Sequence, residues 1–424
     1  MSKIKVLHIN ASSEGGASVV AQRLNEGLNR FSLDVESKHL VFSGHLSPSQ
    51  NSSTYTLWAD SFPKKVFAFF KHALDKLSFL RFEASKKVRF QFSHASQGID
   101  ISNHDLVQWA DIVHLHWVHK GFQSFETLEK LLLVPGKKFI WTCHDLWPVT
   151  GGCYYTWGCE NHQVSCGNCK YLKHPSEFDL SSSLIKRKME LWGNNQIKFV
   201  TPSNWLAQQA NMSAVMKNNQ IMTVIPNPID TEKFQPLEED VRQKLSKVYG
   251  FEKPLLMFSA AYLQNPAKGF FHFIEMCEIL CQQKVEFEVL VLGDNKQEEL
   301  GPFPFKCTHW GYVTDIEKVK LAFQLSDLYV ITSVQDNLPT TIIESLSMGT
   351  PVAGFRVGGI PEMVEDGING FLVESGDVSN LTQKVGAFLK NNRADFRNQA
   401  RLKTLNTYDT KVIVNQIITV YKEL

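Results

Sequence analysis

Short apolar runs alternate with helix-length segments along most of this chain, and that rhythm constrains the fold more than any other feature. Lys5–Ile9, Ile112–Trp117, Lys138–Thr142, Lys198–Pro202, Leu255–Phe258, Phe287–Leu292, Asp327–Thr332 and Pro351–Phe355 read as strands that are apolar on both faces. Strands buried on both faces belong to parallel sheets, and parallel strands need crossover connections, most often helices. The pattern predicts doubly wound α/β domains, which bind ligands at the carboxyl ends of their strands. With 424 residues, 43% of them apolar, the chain can bury two sizeable cores. The Pro-rich Ile225–Asp230, followed by Glu238-Glu239-Asp240, reads as the connector. A first domain is expected over 1–228 and a second over 229–408.

A net charge of +1 gives no global attraction to nucleic acid or membrane. No recognised nucleic-acid-binding motif is present, so nucleic acid is not an expected partner. The opening Met1–Asn10 is too short and too polar for a signal peptide, and no run of about 18 apolar residues suggests a membrane span. A cytoplasmic protein is expected.

Local chemistry concentrates in Gln335–Val352. Asp336 and Glu344 stand eight positions apart around Asn337, Leu338, Pro339 and Thr340. Pro339 suits a helix start and Gly349 a left-handed helix end, which places Glu344 about two turns into a short helix. The free amides of a helix start attract phosphate. Two carboxylates flanking such amides suit the hydroxyls of a nucleotide sugar, although ordinary surface acids on a helix fit the spacing as well. Gly15 and Gly16 lie between the first strand and a helix, where backbone can approach an anion. They do not form a G-x-G-x-x-G fingerprint, and a tight strand-to-helix turn also accounts for them. His144-Asp145 follows the strand ending at Thr142, and Lys268-Gly269 closes the loop that starts at Ala260. His114 and His116, one residue apart on one strand, face the same side, which is compatible with a metal pair; no third ligand is evident, and a strand end lining a cleft fits too.

Asp336 to Val352, followed by Gly358–Val364 and Asp366–Val373, resembles the donor-site signature of glycosyltransferase family 4, retaining enzymes of GT-B architecture. Within that family the chain is similar to transferases of bacterial surface polysaccharides of the colanic acid and O-antigen type. The resemblance implies two doubly wound, Rossmann-like domains facing across a cleft, with a last helix, 409–424, that crosses back to the first domain. It implies transfer of a sugar from a nucleoside diphosphate to a hydroxyl of a glycan, commonly lipid-linked, with no catalytic cofactor. Glu344 would hold ribose, and Asp336 with the amides of Asn337, Leu338 and Thr340 the sugar. Lys268 and the Gly15-Gly16 loop would meet the diphosphate, and His144 the donor sugar. Two departures stand out. The leading acid is Asp336 where the family usually has Glu, and Ala261 stands near the place of a family Arg. A GT-B epimerase of nucleotide sugars and a non-catalytic binding subunit are the rival readings. The absence of any D-x-D argues against a metal-bridged diphosphate.

Two further segments are unusual. Cys153, Cys159, Cys166 and Cys169 fall within 17 residues, in the insertion at about 150–172. In a reducing compartment, close-spaced thiols favour a structural zinc, with two disulfides and reduced thiols as the other states. The resemblance makes this insertion a subfamily mark rather than part of the chemistry. Residues 62–92 carry eight Phe and a local excess of six positive charges. Val66, Phe67, Phe70, Ala73, Leu74 and Leu77 form a helical apolar stripe beside lysines. Such a helix fits the inner face of the cell membrane, and it equally fits packing on the first domain.

Overall fold

The computed structural model describes residues 3–43, 53–57, 62–89, 91–119, 121–216, 222–295, 300–391 and 394–424. The chain divides into two compact units, Met1–Pro228 with Ile413–Leu424, and Ile229–Val412. The first unit holds β1 (Ile4–Ser12), β2 (Val35–Ser43), β3 (Thr54–Thr56), β4 (Ile112–Leu115), β5 (Lys138–Thr142), β6 (Ile197–Thr201) and β7 (Thr223–Val224). Its sheet runs β3-β2-β1-β4-β5-β6-β7, parallel throughout. The second holds β8 (Leu255–Tyr262), β9 (Glu288–Asp294), β10 (Cys307–His309), β11 (Leu328–Ile331), β12 (Val352–Phe355) and β13 (Gly370–Val373), ordered β10-β9-β8-β11-β12-β13 and also parallel. Both are doubly wound. Strand order reverses between β1 and β4 in one unit and between β8 and β11 in the other, and that switch point is where such sheets leave a ligand crevice.

All eight expected strands are present, and all but β5 have one or both ends shifted by a few residues. The expectation passed over β2, whose Val35–Ser43 mixes Glu36, Ser37, Lys38 and His39 among apolar residues. Ser37 is nevertheless buried, because the helix Gly16–Phe31 satisfies it: Ser37 Oγ donates to Asn25 Oδ1 (2.8 Å), and Asn29 exchanges bonds with its backbone (2.8 and 2.9 Å). Period-2 alternation sorts β1 between two cores. Leu7, Ile9 and Ala11 face the large cluster that includes Trp141 and Trp147. Val6 faces the other side, against Val20, Leu24 and Leu28 and against Ile413, Val414, Ile417 and Tyr421. The helix Thr410–Lys422 therefore covers the first unit's sheet from Ile413 on. Full burial of each such aliphatic side chain stabilises by about 1.5–3 kcal/mol.

Candidate functional site

At the second unit's switch point the fold builds a charged cluster. Lys268 ends the turn Pro266–Lys268 beyond β8, held where Thr332 Oγ1 donates to the carbonyl of Gly269 at 2.8 Å. Its Nζ donates to Asp336 Oδ2 at 2.6 Å, an ion pair in which Lys268 is one-third exposed and Asp336 nearly buried. The other Asp336 oxygen accepts from the amide of Asn337 at 3.1 Å. Behind Asp336 lies Gly358 at φ +56°, where a Cβ would stand 1.6 Å from the Asp336 carbonyl oxygen. Only glycine can bring the 358–359 loop against Asp336 in this way.

Pro339 caps the helix Thr340–Ser347, and Gly349 follows it at φ +69°, as the start and stop signals require. Glu344 is the fifth residue of that helix, in its second turn rather than two turns in. It is 8% exposed and lines an open pocket with Ser259, Ala261, Gly293, Tyr312 and Thr341. Ala261, the position of the departed family Arg, is thus part of this wall and brings no cation to it. Leu338 is buried in the second unit's core, which leaves its side chain out of reach of a ligand.

At the first unit's switch point the chemistry is neutral. Gly15 caps the helix Gly16–Phe31 at φ +92°, a conformation few side chains tolerate, and no atom stands within 4 Å of a Cβ built on Gly15 or Gly16. The loop therefore offers open backbone. His144 lies just past β5, and its Nε2 meets His116 Nδ1 at 3.0 Å. His116 Nε2 in turn meets His8 Nδ1 at 2.9 Å. His114 is held by the hydroxyls of Tyr421 and Thr142, both at 2.7 Å. Burial lowers all four imidazoles, His144 to about 4, so they are neutral near pH 7. Asp145 accepts from the Trp117 indole (3.0 Å) and from the Trp147 amide at the start of the next turn (2.8 Å), and burial raises its pKa to about 6. His8 was the missed member. It faces His114 across the β1–β4 register, a neighbour visible only once strand order is known.

Among the described residues, His8, His114 and His116 form the one group of three or more His, Cys, Asp or Glu whose ligating atoms lie within 4.8 Å of one another. The four cysteines of the insertion are not joined in disulfides, and they line one small pocket with His162, Lys170 and Tyr171. Burial pushes Cys153 and Cys166 up to about 12. The turn between Cys166 and Cys169 takes left-handed values at Cys166, Gly167 and Asn168. Fully buried Lys188 donates to the Thr150 carbonyl at 2.9 Å and to that of Trp147. Burial brings its pKa to about 7, with Cys153 and Cys166 opposing that fall.

The helix Phe62–Phe79 exists as expected. The side chains of 62–65 and 68, and residue 90, lie outside the described residues. Phe67, Phe70, Leu74 and Leu77, at i, i+3, i+7 and i+10, are 44–58% exposed, and Phe69 is 69% exposed. The stripe faces solvent. Its acids are withdrawn from that surface: Asp75 is buried, and Glu83 accepts from Arg89 at 2.9 Å. No described helix is long and apolar enough to cross a membrane.

Residues 253–391 match the family of group 1 glycosyl transferases. The second unit carries a glycosyl transferase group 1 domain. That domain contains Lys268, Asp336 and Glu344 with the loops that hold them. WcaC of Escherichia coli K12, named for colanic acid biosynthesis, is 26% identical over 64% of this chain and 66% of its own length. An E. coli galactosyltransferase, named for transfer from UDP-Gal to GlcNAc-diphosphoundecaprenol, is 24% identical over 38% of this chain and 43% of its own. The chain thus spans just under two thirds of the first of these relatives and less than half of the second. In structure it is similar to Anabaena HepE in complex with UDP and glucose, with a TM-score of 0.67, 13% identity, and coverage of 99% and 100% of the two chains. A sucrose-phosphate synthase from Thermosynechococcus elongatus follows at TM-score 0.63 and 16% identity, over 99% of each chain. The fold around the group 1 domain is that of GT-B glycosyltransferases.

Proposed function

We propose that this protein is a retaining glycosyltransferase of family 4 that moves a sugar from a nucleoside diphosphate to a hydroxyl of a lipid-linked glycan in surface polysaccharide synthesis. The observation that carries the reading is the Lys268–Asp336 pair at the β8–β11 switch point, with Glu344 in the wall of the neighbouring pocket. Glu344 holds the ribose hydroxyls. Lys268 exchanges Asp336 for the donor diphosphate, and Asp336 is then released to the transferred sugar beside the amides of Asn337, Leu338 and Thr340. The Gly15-Gly16 loop offers backbone to the diphosphate, and His144 contacts the sugar. As the anomeric C–O bond to phosphate breaks, charge grows on the diphosphate and on the sugar, and preorganised donors are worth most there. The acceptor oxygen attacks from the same face, its proton passing to the leaving phosphate oxygen. HepE's complex with UDP and glucose and the lipid-diphosphate acceptor in the galactosyltransferase's name support this choice of ligands. A thermal-shift panel of UDP-, GDP-, ADP- and dTDP-sugars tests it, since a ligand that binds only the folded state raises apparent stability. One sugar nucleotide should shift the wild type and leave Glu344→Ala unshifted; equal shifts remove the ribose assignment.

The exposed stripe at 67–77 and the cations around it support docking at the anionic inner face of the cell membrane, where a lipid-linked acceptor resides. Co-sedimentation with vesicles containing phosphatidylglycerol should fall with Phe70→Asp and with added salt; equal binding to neutral vesicles would refute the electrostatic part.

For the insertion, four thiols around one pocket, with a left-handed C-x-x-C turn, support a structural zinc on Cys153, Cys159, Cys166 and Cys169. No three of their sulfurs lie within 4.8 Å of one another as they stand, so binding would draw the loop in. One zinc per chain by elemental analysis, lost in Cys166→Ser/Cys169→Ser, is the expected result; metal-free protein of full stability contradicts it.

A further inference from the structure

Three histidines of the first unit, His8, His116 and His144, are joined in a row by two hydrogen bonds. His8, on β1, faces His114 across the strand register, and His116 and His144 follow β4 and β5. The side of the sheet that carries Val6 and His8 is otherwise packed with Val20, Leu24, Ile413, Ile417 and Tyr421. His8 and His116 are 0% and 2% exposed. Imidazoles in such surroundings need partners, and these two partner each other and His144.

A neutral imidazole has one N–H and one lone pair, so three of them joined by two hydrogen bonds run in one of two directions. If His144 donates to His116 and His116 to His8, the chain ends in a buried His8 Nε2–H. If His8 Nδ1 donates to His116 Nε2 and His116 Nδ1 donates to His144 Nε2, it ends in a bare His8 Nε2 lone pair. That Nε2 is buried with no hydrogen-bond partner. Orphaned buried donors are rarer than under-satisfied acceptors, so the second direction is the stable one. A metal shared by His8, His114 and His116 fits less well. The 2.9 Å between His8 Nδ1 and His116 Nε2 is hydrogen-bond spacing, whereas two nitrogens on a tetrahedral zinc stand about 3.3 Å apart. Both His114 nitrogens are also already engaged by hydroxyls.

We propose that His8 and His116 are positioning residues that hold His144 in the tautomer whose Nε2 accepts from His116 and whose Nδ1 carries the proton, so that His144 meets an oxygen of the donor sugar or phosphate as a neutral hydrogen-bond donor and not as a base. The ligand half of this statement rests on the proposed transferase function; the tautomer half does not.

The test is long-range proton–nitrogen NMR on protein labelled with 15N-histidine, with His144 assigned from the peaks missing in His144→Gln. His144 should show a protonated Nδ1 and an unprotonated Nε2 in the wild type; a protonated Nε2 overturns the proposal without any variant being needed. His8→Leu removes the first donor while keeping bulk, and should turn the His144 signals into a tautomer mixture. It should lower kcat for nucleotide release at least about ten-fold with little change in KM. His8→Asn, whose side-chain N–H stands near the lost Nδ1, should restore both. Unchanged His144 signals in folded His8→Leu, or one equivalent of bound metal that this variant loses, would overturn the relay. If the tautomer is as stated but no sugar nucleotide turns over, the transferase reading falls and the relay stands.

Discussion

The two sheets reverse strand order at the same relative place, yet they furnish that place with opposite chemistry. At β8–β11 the second unit sets an ion pair, Lys268–Asp336, beside the acid Glu344. At β1–β4 the first unit sets four imidazoles kept neutral by burial, and a glycine turn with open space above it. One topology therefore positions two kinds of side-chain chemistry. A lysine suits a diphosphate whose charge grows during reaction and carboxylates accept from hydroxyls, whereas a neutral imidazole offers a donor that adds no charge of its own.

The largest effect that sharpens this contrast is expected on the charged side. Lys268→Ala should cut kcat/KM for nucleotide release by about 10²–10³, the usual cost of removing one preorganised charge-stabilising donor. Lys268→Arg should recover part of it, and a loss under five-fold would place the diphosphate elsewhere. On the neutral side the prediction concerns stability and pH. Because burial depresses the folded-state pKa of His114 to about 3 and of His144 to about 4, below the unfolded value, these groups contribute stability that is present above about pH 6.5. It is lost as pH falls through the folded values, because the unfolded chain binds more protons. Unfolding free energy should therefore drop between about pH 6.5 and 4, by up to about 1.4 kcal/mol per pH unit for each histidine, and the melting temperature should fall with it. His114→Gln should flatten that slope, and an unchanged slope would show that other groups set it. The smallest effect belongs to neither switch point. Leu77→Asp on the exposed stripe should alter stability by no more than about 0.5 kcal/mol while weakening vesicle binding; a large loss of stability would mean that the stripe packs against protein.

Much of this was legible in the sequence, for identifiable reasons. Parallel strands buried on both faces announce themselves as apolar runs, which is why β5 was read to the residue. The helix signals Pro339 and Gly349 located the Glu344 helix. What stayed hidden depended on neighbours. β2 escaped because polar residues interrupt its apolar run, and one of them, Ser37, is satisfied by Asn25 and Asn29 of another element. β3, β7 and β10 are edge strands of two or three residues, with too little pattern to see. The ion pair joins residues 68 positions apart. His8 could be matched to His116 only after β1 was known to lie beside β4. Asp145 shows the same limit, since its bond from the Trp117 indole spans 28 positions of sequence.

The charged end of the second unit is expected to turn over a sugar nucleotide. Nucleotide release from each of the four donor classes, measured with a membrane-extract acceptor for wild type and Glu344→Ala side by side, tests it most directly. Release from one donor is expected, dependent on acceptor and abolished by the substitution, with the product keeping the donor's anomeric configuration. Binding without release, or interconversion of free nucleotide sugars without acceptor, would contradict it.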